Sequence, residues 1–217
     1  MKKFKLILFD MDETLYPRTT TLMPTVTERI TQFMIDQLGM TPEQAAQQRQ
    51  IYREKYGTAL RGLMEEKHLA DMDGVNAYLQ YVHDIPLVDV LEVDPVAREM
   101  LMQLPLRRAV LTNSNIEHAE RVLTHLNLWD VFEGVVDIRA MNFFSKPDPR
   151  AYQAALDRFG VTAEETIFVE DTPVNTRPAK ALGITTILLY HPLSDATNYA
   201  VPSLREALEL VGEWTKA

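Results

Sequence analysis

Lys5-Leu6-Ile7-Leu8-Phe9 running into Asp10-Met11-Asp12-Glu13-Thr14 decides the reading of this chain. The short apolar run predicts a strand buried on both faces, as in the interior of a parallel sheet. Two carboxylates at its end have no structural use, because a buried, unpaired carboxylate is costly and calls for a cation, protons or a ligand. Ligands of open α/β sheets bind at the carboxyl ends of the strands, so Asp10 and Asp12 read as working chemistry. The competing reading is a surface turn that happens to carry two acids.

Working outward, an alternation of strands and helices resumes after residue 95. Asp94-Pro95 supplies an N-cap and a first-turn proline for a helix running to about Gln103. Arg108–Thr112 is the next strand, and Ser114 and Glu117 stand at capping-box spacing before Val122, Leu123 and Leu126. Gly134–Asp137 is a short strand, and Asp148-Pro149 opens a helix ending near Gly160. Strands at Thr166–Val169 and Thr185–Leu189 follow, with a helix between them ending at Gly183, and the tail from Pro202 is an amphipathic helix. The expected fold is α/β, a doubly wound, Rossmann-like parallel sheet of about five strands.

Residues 17–93 break this rhythm. They are helical throughout, with Thr41-Pro42-Glu43-Gln44 capping one helix and no convincing strand. Such a connection is far longer than a usual crossover. It reads as an all-helical cap (17–93) inserted into a core formed by 1–16 and 94–217, and placed over the carboxyl edge of the sheet.

Composition narrows the function. With 46% hydrophobic and 24% charged residues among 217, the chain has the make-up of a globular protein and not of a disordered one. A formal charge of −9 disfavours nucleic acid as a partner, although a metal ion and a local cation would still admit a phosphate-bearing small molecule. The absence of cysteine excludes disulfides and cysteine-based zinc sites. Met1-Lys2-Lys3-Phe4 resembles a leader, but Lys5, Asp10 and Asp12 break the apolar run and no cleavage site follows. No stretch reaches the roughly 18 apolar residues that span a bilayer. The expectation is a soluble, cytoplasmic monomer or homodimer without membrane contact.

Four strand ends carry complementary polar groups in order. After Asp10 and Asp12 come Thr112-Asn113-Ser114 at a helix N-terminus, where the dipole favours an anion. Lys146 precedes Pro147-Asp148-Pro149, and Glu170-Asp171 follows the fourth strand. Singly, each has a plain reading: a strand-end threonine, a solvated lysine, an acidic helix start. Together they are what magnesium-dependent phosphoryl transfer needs, with hard oxygen ligands for Mg²⁺, a lysine for the phosphoryl oxygens and a carboxylate nucleophile.

Asp10-x-Asp12-x-Thr14, Thr112-Asn113, Lys146-Pro147 and Glu170-Asp171 resemble the four motifs of the haloacid dehalogenase superfamily of phosphohydrolases. The resemblance implies that Asp10 attacks phosphorus and that Asp12 is the general acid and base. It implies that Thr112 and the amide of Asn113 hold the phosphate, with Lys146 bridging Asp10 and the phosphoryl group. Asp10, Asp171 and the main-chain carbonyl of Asp12 would ligate Mg²⁺, with Glu170 as an additional or outer ligand. The superfamily's true dehalogenases lack the second aspartate, so Asp12 favours phosphate esters of small molecules. Asp12-Glu13-Thr14-Leu15-Tyr16-Pro17, Tyr52-x-x-x-Tyr56-Gly57-Thr58-x-Leu60-x-Gly62-Leu63, Val82-His83 and His118-Ala119 look like the pyrimidine 5′-nucleotidase branch. That likeness implies nucleoside 5′-monophosphate substrates, with Tyr56, Gly57 and Thr58 reading the leaving group. Packing of Tyr52 against Tyr56, with Gly57 ending their helix, is the alternative. Glu170, where that branch often has aspartate, keeps open a sugar-phosphate phosphatase or a phosphoglucomutase-like phosphotransferase. A catalytically silent interaction protein of the same fold is the remote alternative.

Overall fold

The protein is described by a computed structural model over residues 4–216; Met1-Lys2-Lys3, weighed above as a leader, lie outside the described residues. The chain divides into two compact units, one of residues up to Arg18 and from Leu91 onward, the other Thr19–Val90.

The first unit is built on six parallel strands among the described residues: β1 (Leu6–Phe9), β2 (Arg107–Leu111), β3 (Val135–Val136), β4 (Thr166–Glu170), β5 (Thr185–Leu189) and β6 (Tyr199–Val201). Their order is β3-β2-β1-β4-β5-β6. The unbroken apolar run of β1 is fully buried, as a central strand covered on both faces must be. The chain builds outward from β1 to β3, then returns to lay β4 on the other side of β1, which makes the carboxyl ends of β1 and β4 the switch point where ligands of such sheets bind. Phe9 pairs with Val169, so Asp10 stands opposite Glu170.

The sheet has one strand more than the five expected. β6 is only three residues long, lies at the sheet edge and has an exposed Tyr199, so it carries no apolar alternation to reveal it. Asp94-Pro95 and Asp148-Pro149 start the helices Pro95–Gln103 and Pro149–Phe159 as expected, each aspartate accepting a bond from the first helical turn. The Ser114–Glu117 capping box does not form. Asn115 is the N-cap of helix Ile116–His125, and the Ile116 amide donates to Asp137 Oδ2 at 3.0 Å. Among the described residues, no helix is long and apolar enough to cross a membrane.

The second unit consists of four helices among the described residues, α1 (Leu22–Leu38), α2 (Pro42–Tyr56), α3 (Ala59–Glu65) and α4 (Met72–His83). The Thr41–Gln44 capping box opens α2. Gly57, at φ 86°, ends it, a left-handed turn that a side chain would strain. Thr58 then caps α3 by accepting from the Arg61 amide at 3.2 Å. Tyr56 packs against Tyr52 with ring centroids 6.1 Å apart. Each of the three residues read as leaving-group selectors thus has a local structural task.

Gly62 explains much of that motif. A Cβ there would lie 2.2 Å from Tyr52 Cγ, so the buried ring needs a hydrogen at position 62 to let α3 approach α2. Gly62→Ala should therefore lower stability by about 1–3 kcal/mol, the usual cost of overpacking a close contact. Urea titration followed by circular dichroism checks this; an unchanged midpoint would show that the Tyr52 ring moves aside freely.

Candidate active site

The segment after β1 turns at once, with the Thr14 and Leu15 amides donating to Met11 O. Residues four apart then lie above one another. Thr14 Oγ1 approaches Asp10 Oδ2 at 3.5 Å, and Tyr16 donates its hydroxyl to Asp12 Oδ1 at 2.8 Å.

Lys146 reaches this segment from the loop before the Pro149–Phe159 helix, and Asn113 aims it. The Lys146 amide donates to Asn113 Oδ1 at 2.8 Å and Asn113 Nδ2 donates to Lys146 O at 3.0 Å. From that two-point clamp the lysine side chain, 1% exposed, places Nζ 2.5 Å from Asp10 Oδ1 and 2.9 Å from Glu170 Oε2. Glu170 is satisfied on both oxygens. Oε2 accepts from Lys146 and from Asn175 Nδ2, and Oε1 accepts from the Asp171 and Thr172 amides. Asp171 receives the Thr172 hydroxyl at 3.3 Å. Thr112, fully buried at the end of β2, accepts from the Ser114 amide.

Asp10, Glu170 and Asp171 each offer an oxygen within 4.8 Å of the others, and all three are buried. Burial, with Glu170 beside it and Lys146 opposing, pushes the Asp10 carboxyl up to about 8. Burial likewise raises Glu170 to about 7, against the pull of Lys146, and Asp171 to about 6, with Asp10 adding repulsion. Burial alone would push the Lys146 ammonium down, but Asp10 and Glu170 hold it well above its ordinary value. Three carboxylates against one ammonium leave two negative charges, the amount one divalent cation balances. Hard oxygen donors at this spacing fit Mg²⁺, and Asp10 and Asp171 have the oxygens least occupied by protein donors.

Asp12 is in the opposite electrostatic state. Burial pushes its carboxyl up, yet His118, Ser114 and Tyr16 hold it down at about 2. Ser114 Oγ donates to Asp12 Oδ2 at 2.8 Å, and His118 Nε2 lies 3.4 Å from Oδ1.

The structure thus brings Asp10, Lys146, Glu170 and Asp171 together, with Asp12 two residues from Asp10 and joined to the end of β2 through Ser114. Tyr56, Gly57 and Thr58 belong to the helical unit. Reasoning from sequence gives Asn175 no site role, names Ser114 only within the Thr112-Asn113-Ser114 strand end, and quotes Tyr16 and His118 only within the nucleotidase resemblance, without linking any of them to Asp12. The spacing of Tyr16 from Asp12 was a usable signal for that residue; Asn175 had none beyond its place near a helix start.

The sequence model of haloacid dehalogenase-like hydrolases matches residues 4–183. Phosphate metabolism protein 8 of Saccharomyces cerevisiae is 27% identical over 83% of this chain, which spans 60% of that longer relative. Glyceraldehyde 3-phosphate phosphatase of Methanocaldococcus jannaschii is 27% identical over 94% of this chain and 96% of its own. Among solved structures, 2-haloacid dehalogenase from Pseudomonas syringae pv. Tomato superposes with a TM-score of 0.63 at 21% identity, covering 98% of this chain and all of that one, a likeness of fold. The sequence-model match over residues 4–183 spans most of the sequence, and the chain belongs to the haloacid dehalogenase-like hydrolases.

Proposed function

We propose that the protein is a Mg²⁺-dependent phosphatase acting on small phosphate monoesters through an aspartyl-phosphate intermediate, with pyrimidine nucleoside 5′-monophosphates as the preferred substrates. The observation that carries the first part is the buried Asp10–Lys146–Glu170–Asp171 cluster beside a second, separately held carboxylate, Asp12. An Asp10 oxygen attacks phosphorus, and the bond from phosphorus to the leaving oxygen breaks as that oxygen takes a proton from Asp12. The free site holds Asp12 ionised, so Asp12 must first take up that proton in the substrate complex. Water then attacks phosphorus, gives a proton to Asp12, and the bond to Asp10 breaks with its electron pair returning to the carboxylate. Lys146, the Thr112 hydroxyl and the Asn113 amide neutralise the phosphoryl oxygens. Asp10, Asp171 and the Asp12 carbonyl would hold Mg²⁺, which would supply further charge neutralisation, and Glu170, with four donors already, aligns the cluster from behind.

Asp12 favours this over carbon–halogen cleavage, which the fold likeness alone would allow. A departing halide needs no proton, so an acid and base held by Tyr16 and Ser114 has work to do only when oxygen leaves. The nucleotide preference rests on the sequence resemblance around Tyr56, Gly57 and Thr58. The phosphoryl group is common to all monoesters, so selection needs residues that read the remainder of the substrate. The relative named for glyceraldehyde 3-phosphate supports the second reading, a sugar-phosphate phosphatase.

Incubation with UMP, CMP, glyceraldehyde 3-phosphate, glucose phosphates, para-nitrophenyl phosphate and 2-chloropropionate, with Mg²⁺ or EDTA, separates these readings. Expected is Mg²⁺-dependent phosphate release, fastest from UMP or CMP, and no halide release. Faster turnover of sugar phosphates would select the second reading, and no release from any ester would end both. Asp10→Asn, similar in shape but a poor nucleophile and ligand, should leave less than about a thousandth of the activity.

Metal removal should also change the pH dependence of stability. Asp10, Glu170 and Asp171 are raised on folding from ordinary values of 3.8, 4.5 and 3.8 to about 8, 7 and 6. Their contribution is therefore complete below about pH 4 and lost as the pH rises through 6 to 8. Asp12 runs the other way, its contribution present above 3.8 and lost as the pH falls toward about 2. In EDTA, the urea midpoint should fall between pH 5 and pH 8, and saturating Mg²⁺ should remove most of that fall. A flat profile in EDTA would contradict the repulsive cluster.

A further inference from the structure

Asp12 is gripped on both oxygens by groups from separate parts of the chain. Tyr16, four residues on, donates to Oδ1 at 2.8 Å; Ser114, from the end of β2, donates to Oδ2 at 2.8 Å. His118, 1% exposed on the following helix, stands 3.4 Å behind Oδ1. We propose that Tyr16 and Ser114, backed by His118, are positioning residues that fix the plane of the Asp12 carboxylate for proton transfer. This rests on the acid–base role proposed for Asp12.

One donor would leave a carboxylate free to turn about its last torsion, whereas donors on opposite oxygens fix its plane. Proton transfer needs the acceptor within about 2.6–3.2 Å of the moving proton's parent atom, and a misplacement of about 1 Å can cost two orders of magnitude. The ordinary explanations of the donors are weak here. Ser114 stands at capping spacing for the Ile116–His125 helix, yet Asp137 caps that helix through the Ile116 amide and Ser114 turns its hydroxyl to Asp12. A buried tyrosine hydroxyl needs an acceptor, but Tyr16 takes the oxygen opposite Ser114, which completes the grip. The link also crosses from the β1 turn to the end of the adjacent β2, so the carboxylate is fixed relative to the sheet and not merely to its own loop.

Tyr16→Phe and Ser114→Ala remove one donor each and keep the remaining shape. Each should lower kcat for an alkyl phosphate, whose leaving oxygen needs a proton, about tenfold, and for para-nitrophenyl phosphate about twofold or less. The same substitutions are then made in Asp12→Asn protein, with thermal unfolding measured for every variant. Groups that act through Asp12 lose their effect there, so neither should lower the residual rate by more than about twofold. Losses that persist undiminished in the Asp12→Asn background, or that fall equally on both substrates, would overturn the positioning role in favour of a structural one. If one variant fails to fold, the other decides the matter by the same criterion. Asp12→Asn protein that turns over alkyl phosphates at the wild-type rate would instead remove the acid–base reading itself, and the positioning role with it.

Discussion

The Lys146 ammonium between Asp10 Oδ1 and Glu170 Oε2 is the interaction on which the site depends. β1 and β4 are neighbours in the middle of the sheet, and their carboxyl ends bring two acids into one desolvated space. Desolvation costs several kcal/mol per ion unless charge and hydrogen bonds offset it. Lys146 offsets the first part, and the four donors on Glu170 offset much of the second. Asn113 belongs to the same economy of charge, because its side chain clamps the Lys146 main chain and so determines where the ammonium can reach.

The lysine does not finish the neutralisation. Two negative charges remain among Asp10, Glu170 and Asp171, and burial, with repulsion between neighbouring carboxylates added, pushes all three toward protonation. A buried site in that state is one that a divalent cation would balance. Asp12, two residues away, is held in its charged form by hydrogen-bond donors. Neighbouring carboxyls whose environments push them in opposite directions suit a division of labour, and the proposed function divides it so that Asp10 faces cation and phosphorus while Asp12 handles protons. Tyr16, Ser114 and His118 surround Asp12; Lys146 lies against Asp10, with Asn113 reaching it through Lys146 and Asn175 through Glu170.

Much of this was legible along the chain. The apolar run of β1, the Asp-Pro helix starts and the acids closing β1 and β4 are local patterns, and local patterns set secondary structure. The order of those elements then implies a parallel sheet, and the sheet implies that strand ends meet. β6 escaped because three half-exposed edge residues carry no periodicity. Ser114 misled because its spacing to Glu117 is a valid capping signal, and nothing near it in the chain reveals that Asp12 competes for its hydroxyl.

That last case shows where the boundary falls. Residue types and their short-range spacing settled five of the six described strands and which acids end β1 and β4. Which of two nearby carboxyls is pushed up and which is held down depends on partners that fold in from afar: Lys146 and Glu170 for Asp10, Ser114 and His118 for Asp12. Burial strengthens every such contact by removing water, so a carboxyl's state follows from what surrounds it after folding, and only the packed sheet supplies those surroundings.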